Sequence, residues 1–482
     1  MSYLSHDPKN QKIMWTPEAL TLLKSLNDKE LKAFEKFLNQ RHSKDSAIIK
    51  VMVYLKKHLD EAQPIERRKA FARIFPQETY RERLLTDTAS DLNLECLRFL
   101  MEKKLNTQSW TYQELKLEIL QERNLHKPAT ELQQAMLRQL EQVRQVDIWH
   151  FIHKLKLLDQ IYFSPSALKW DAAWQELGEN LAHQLELFFW GAKLRFTCEA
   201  LSREKLRGES IPHSLKETFA PKHESTRELS HLHRAFWYTG KAIEEGSNAA
   251  FTDLKNQLSD YQQLLTSSDF LLIFTYLCNH FGHEIRQGQG QLSRELFELY
   301  RWAFEQQVLI ENGVLNVVVF HNLVELACVV QELDWCHYFI AESSALLERN
   351  VRESAKNVAE AFLAFEYKDF AQAEMLISKG IKMDLNHHLR IKTLEMRLAY
   401  EQMNHDPELP KLLGKRLEEY IKAQEVSDTV QAAYLNFIAI YRQLIRKKSK
   451  PQKIMDELNA CTYIVNKNWL LAKLEERGLN QL

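Results

Sequence analysis

Only 12 Gly and 11 Pro occur in 482 residues, where ordinary usage of about 12% would supply more than twice as many. These two residues end strands and shape tight turns, so a chain so poor in them has little material for a sheet-rich domain. Between the few breaks one pattern of apolar residues recurs at helical spacing, which predicts an almost wholly α-helical protein.

Composition narrows the class. The chain is longer than one compact core supports, so several domains or one elongated stack are expected. A hydrophobic content of 45%, with ten Trp and 24 Phe, belongs to an ordered protein. Lys and Arg (64) nearly cancel Asp and Glu (65), which excludes a global field steering the chain to nucleic acid or an anionic membrane. No run of eighteen apolar residues or signal-peptide core occurs, so a soluble, cytoplasmic protein without membrane contact is expected. The six cysteines include no CxxC pair and read as small buried hydrophobes.

Helix starts are legible along the first hundred residues. Thr16 with Pro17, Asn27 with Glu30 and Thr79 with Glu82 have the form of N-caps. Leu31, Phe34, Phe37 and Leu38 share one face, and Ile48, Val51, Met52, Leu55 and Leu59 form the next. The helices then lengthen. From Pro128 to Ser164 no Gly intervenes, which predicts one helix of roughly thirty residues, about 45 Å long. Gly208 to Ser225 carries two Pro and reads as an irregular connection. Beyond it, a capping box at Ser225 and Glu228 opens helix pairs spaced near forty residues, the signature of a repeat array. The expected organisation is a small helical domain at 1–105, a long-helix region at 106–224 and a helical-repeat region at 225–482.

The clearest repeat unit, NVAEAFLAFEYKDFAQAEMLISKGIKMD from Asn357 to Asp384, resembles a degenerate tetratricopeptide (TPR) repeat. Ala361 and Ala373 take the small positions, Phe370 the aromatic and Ile377 the following apolar one. Two helices cross closely only where a small side chain faces the crossing. DWCHYFIAESSALLE matches less well, with Trp335 at the aromatic position and Tyr338 where Ala is expected. With LNDKELKAFEKFLNQ and RKAFARIFPQETYRERLLTDTASDLNLECLRFL near its start, the chain also resembles a group of bacterial all-helical proteins with a TPR-like end. That resemblance implies a fold and no activity. RHSKDS at Arg41 to Ser46 departs from its pattern.

No motif carries catalysis: GxSxG and HExxH are absent, and no catalytic, cofactor-binding or metal-ligating residue is assigned. Cys278, His280 and His283 in CNHFGHE combine zinc-ligand types, but at i, i+2 and i+5 they do not share a helix face. Gly288-Gln289-Gly290 lacks the preceding strand and the Lys-Ser/Thr pair of a phosphate loop. His150 and His153 lie one turn apart. Two features remain as candidate surfaces. Trp237, Tyr238, Tyr300 and Trp302 sit on consecutive repeats and either pack between helix layers, the commoner fate of such residues, or anchor a peptide if they line the inner face of a solenoid. Arg442, Arg446, Lys447, Lys448, Lys450 and Lys453 form the densest basic segment, which would contact phosphates or simply complement a helix C-terminus. The sequence predicts an all-α, non-enzymatic scaffold for an unidentified protein or peptide. A nucleic-acid-associated factor using residues 442–453 is the alternative.

Overall fold

A computed structural model describes residues 14–59, 65–105, 109–164, 172–215, 218, 230–311, 313–379, 385–403, 406–426, 428–446 and 450–479. Among them the protein is all-helical, with 23 α-helices and four two-residue strands. No helix is long and apolar enough to cross a membrane among the described residues.

Five helices wrap the first core: α1 (Glu18–Ser25), α2 (Asp28–Arg41), α3 (Ala47–Lys56), α4 (Arg67–Ile74) and α5 (Glu82–Lys104). Leu23, Phe34, Leu38, Leu55, Leu85, Leu92 and Cys96 are fully buried between them. Strand β1 (Met14–Trp15) pairs antiparallel with β2 (Ile65–Glu66), Trp15 opposite Ile65. The Asn27 cap forms in full: its side chain accepts from the Glu30 N–H at 3.0 Å, and Glu30 accepts from the Asn27 N–H at 3.1 Å. The other two caps differ from expectation. Pro17, not Thr16, stands at the N-cap of α1. Thr79 caps nothing, because the chain turns where Tyr80 packs edge-on against Phe71 at 5.2 Å, and α5 starts only at Glu82.

Next come α6 (Trp110–Glu122), α7 (His126–Glu141), α8 (Ile148–Tyr162) and α9 (Ala172–Arg207). The single helix expected after Pro128 is therefore two. The Asp147 side chain accepts from the His150 N–H at 2.8 Å and starts α8, after six residues outside any helix whose Val143 is exposed. The longest helix is instead α9, 36 residues and about 54 Å. It runs between α8 and α10 (His231–Glu245). Gly191 permits that approach, since a Cβ there would stand 3.4 Å from His233 Nε2 and 3.5 Å from Ile148. The 208–225 connection contributes a 3-10 turn at His213–Leu215 and Thr218, whose hydroxyl bonds Thr197 at 3.0 Å. The Ser225/Glu228 capping box lies outside the described residues.

The rest is α11 (Asn248–Asn256), α12 (Leu258–Leu264), α13 (Ser267–Arg286), α14 (Leu292–Glu305), strands β3 (Ile310–Glu311) and β4 (Val314–Leu315), α15 (Val317–Val329), α16 (Leu333–Ser343), α17 (Arg349–Glu366), α18 (Phe370–Ser378), α19 (Leu385–Glu401), α20 (Leu409–Lys422), α21 (Asp428–Leu444), α22 (Pro451–Ala460) and α23 (Lys467–Leu479). Each helix from α13 on packs against its successor, and α17 also lies against α15 and α19. One apolar core runs from Ile148 of α8 to Leu398 of α19, and a second spans Leu389 to Leu474. In the α17–α18 pair Ala361 and Ala373 are fully buried, and Phe370 meets Phe365 at 5.6 Å.

The helix ends explain how so little Gly suffices. Gln307, Gln331 and Lys368 take left-handed φ values of 58°, 61° and 63°. The next N–H in each case reaches back five residues: Val308 to Ala303, Glu332 to Ala327 and Asp369 to Ala364, all at 2.9 Å. These are Schellman caps, in which Gly is the usual left-handed residue.

Candidate functional site

The turn between α13 and α14 meets the start of the last helix. A Cβ on Gly288 would stand 2.7 Å from Lys467 Nζ, and one on Gly290 3.2 Å from Asn468 Oδ1. The ring of His283, near the end of α13, lies 5.8 Å from that of Tyr463, just before α23. The end of α13 and the start of α23 are therefore in contact, and polar side chains from the helices between them come together beside this junction.

Five helices, α13, α14, α15, α19 and α21, supply this polar cluster. On α19, Arg390 donates to Asn322 Oδ1 of α15 at 2.6 Å and pairs with Glu325 one turn further along α15. Asn322 in turn donates to Tyr300 Oη at 3.4 Å. Burial raises the Tyr300 and Tyr434 phenols well clear of neutral pH, while the guanidinium of Arg390 opposes the shift at both. The buried ring of His321 stands 5.2 Å from that of His387, and neither of its nitrogens has a hydrogen-bond partner among the described residues. Burial, Arg390 and His387 all hold His321 well below the usual histidine range, so it is neutral at pH 7.

Arg286 is the unusual member. It is exposed, yet the surrounding protein lowers its pKa by desolvation, against the phenols of Tyr434 and Tyr463. Among the described residues no carboxylate lies within salt-bridge distance of it, whereas Arg390 has Glu325. The cluster thus presents one guanidinium without a carboxylate partner among the described residues, beside phenols and the neutral imidazole of His321, groups able to pair with an anion. A shallow cavity of about 480 Å³ lies beside Tyr463, lined also by Ala432, Asn436, Glu457, Cys461 and Thr462.

The sequence candidates are dispersed. Trp237 and Tyr300 are buried, and Trp302 is half-buried at 6.2 Å from Phe270. They fill the core because their helices have neighbours on several sides. Of the four aromatics only Tyr238, 52% exposed, faces solvent. In the basic segment Arg442 is neutralised by Glu418 at 2.5 Å. Arg446, Lys450 and Lys453 are exposed, and Lys447 and Lys448 lie outside the described residues. Cys278, His280 and His283 diverge: the thiol is buried beside Tyr300, His280 donates to Asn248 Oδ1 at 3.0 Å while lying flat on Phe251, and His283 faces Tyr463. No group of three or more His, Cys, Asp or Glu gathers for a metal among the described residues. Of the Gly-rich turn, Gln289 accepts from Asn248 at 2.8 Å and joins α14 to α11.

Arg286, Arg390, His321 and Tyr434 carry no local signal in the sequence. They come from four helices and meet only in the packed array. No protein-family model, no curated protein and no solved structure matches the chain.

Proposed function

We propose that the region 225–482 is a TPR-like α-solenoid and that the protein is a non-enzymatic, cytoplasmic scaffold, holding a protein or peptide at the polar cluster of the array. The observation that carries this reading is Arg286: an exposed guanidinium with no carboxylate partner among the described residues complements an acidic group of a partner. The sequential packing of α13 to α23 and the small residues Ala361 and Ala373 at a helix crossing support the repeat reading. The six free thiols, five of them buried, suit a reducing compartment.

The test is affinity purification of the tagged chain, with bound proteins identified by mass spectrometry at low salt and at about 1 M salt, where the screening length falls to about 3 Å. A partner that persists at high salt with the wild type and is lost with Arg286→Glu supports the scaffold. Binding to nucleic acid that collapses with salt and with Arg446→Glu replaces it with the alternative.

A further inference from the structure

The C-terminal half of α5, with its C-cap residue Leu105, exposes an apolar stripe that none of the described residues covers. Leu94 is 58% exposed, Leu97 42%, Met101 61% and Leu105 37%. At i, i+3, i+7 and i+11 these side chains share one face and run about 16 Å along the helix. The opposite face of the same helix, with Leu85, Leu92, Cys96 and Phe99, is in the core of the N-terminal domain. The stripe is therefore held on a rigid, well-packed element, and a contiguous apolar face of this kind marks an interaction surface.

Charge at the two ends of the stripe selects the occupant. Asp91 lies at its N-terminal end and Lys104 at its C-terminal end; both are exposed, and neither has an ion-pair partner among the described residues. The other charges alongside are engaged within the domain: Arg98 with Glu95 at 2.6 Å, Glu102 with Arg41 at 3.0 Å and Lys103 with Glu30 at 2.6 Å. A surface with an acid at one end, a base at the other and apolar residues between is complementary to itself when turned end for end. A two-fold axis supplies that rotation. Antiparallel packing also sets the two helix dipoles favourably.

We propose that α5 docks antiparallel against α5 of a second copy of this chain, with the two-fold axis between Leu97 and Arg98. In this register Leu94 meets Met101 of the other copy, Asp91 meets Lys104, and Leu97 lies beside its own counterpart. The stripe is short, so the interface falls below about 1,200 Å² and the dimer is weak and concentration-dependent.

Sedimentation velocity on the full chain up to about 100 μM tests for the dimer. Reversible dimerisation is expected. Leu94→Glu with Met101→Glu should abolish it without changing the circular dichroism or the unfolding midpoint, because both side chains are exposed. Asp91→Lys and Lys104→Asp should each weaken the dimer by tenfold or more, and the double charge swap should restore it. Mild oxidation reads the register. Leu97→Cys should cross-link to itself; Leu94→Cys should not, its counterpart lying about 10 Å along the axis, but should cross-link when mixed with Met101→Cys. A monomer at every concentration overturns the proposal. So does a dimer indifferent to Leu94→Glu with Met101→Glu, or one in which Leu94→Cys pairs with itself, as a parallel arrangement would require.

Discussion

The middle helices α6–α9 and the array that follows are built from the same kind of residue, yet they bury it differently. In α6 Leu117 alone is buried, while Tyr112, Leu115 and Ile119 stand exposed. In α15 Phe320, Leu323, Val324 and Ala327 are fully buried and His321 nearly so. The cause is neighbour number. α6 packs chiefly on α7, whereas α15 is flanked by α14, α16 and α17. A helix with one neighbour hides one stripe, and one with three hides most of its circumference. Apolar content alone therefore does not make a core.

The largest test of this contrast is truncation of matched core positions. Leu323→Ala should cost about 4 kcal/mol and Leu117→Ala about 2 kcal/mol, the thinner core collapsing more readily around its loss. Denaturant unfolding measures both, and equal costs would break the comparison. Native-state hydrogen exchange should likewise show α6 opening at lower free energy than α15.

Acid should weaken the array next. Burial, with help from His283 and Lys205, depresses His280 to about 4. The unfolded chain binds a proton near pH 6.5 that the folded imidazole refuses until about pH 4. Stability from this residue is thus complete above about pH 6.5 and declines as pH falls toward 4, by about 1–2 kcal/mol once solvent screening is allowed for. His280→Gln, keeping a donor for Asn248, should remove that part of the pH dependence in unfolding midpoints taken at pH 7 and pH 5.

Smaller effects sharpen the picture. Lys368→Gly should stabilise the array by up to about 1 kcal/mol, because it relieves a left-handed Lys at a helix end; a loss measured by thermal unfolding would mean that the Lys368 side chain does more than cap. On α9, the exposed Phe189→Ser should change stability by no more than about 0.5 kcal/mol. A larger loss in the same measurement would show that the middle helices are better covered than their exposure indicates.

Much of the fold was legible residue by residue. The Asn27–Glu30 capping box formed as read, because a cap is settled by atoms within four positions. The all-helical class followed from the shortage of Gly and Pro, and Gln307, Gln331 and Lys368 show how helices end where Gly is absent. The break between α7 and α8 was hidden because apolar spacing continues across it, and only the Asp147 cap, one residue among many, marks it. The aromatics went unread for a related reason. Periodicity shows that Trp237, Tyr300 and Trp302 lie on helices but not how many neighbours those helices have.

Local chemistry, then, determined which segments are helical and where several of them start, since backbone hydrogen bonds and caps act over three to five residues. Which faces are buried, that Arg286 stands beside Tyr434 and Tyr463, and that the stripe of α5 faces away from the core of its domain were decided only by the tertiary structure. Those outcomes depend on the angle at which each helix meets the next. The successive packing of α13 to α23 brings Gly288 to Lys467, and no short stretch of sequence contains that arrangement.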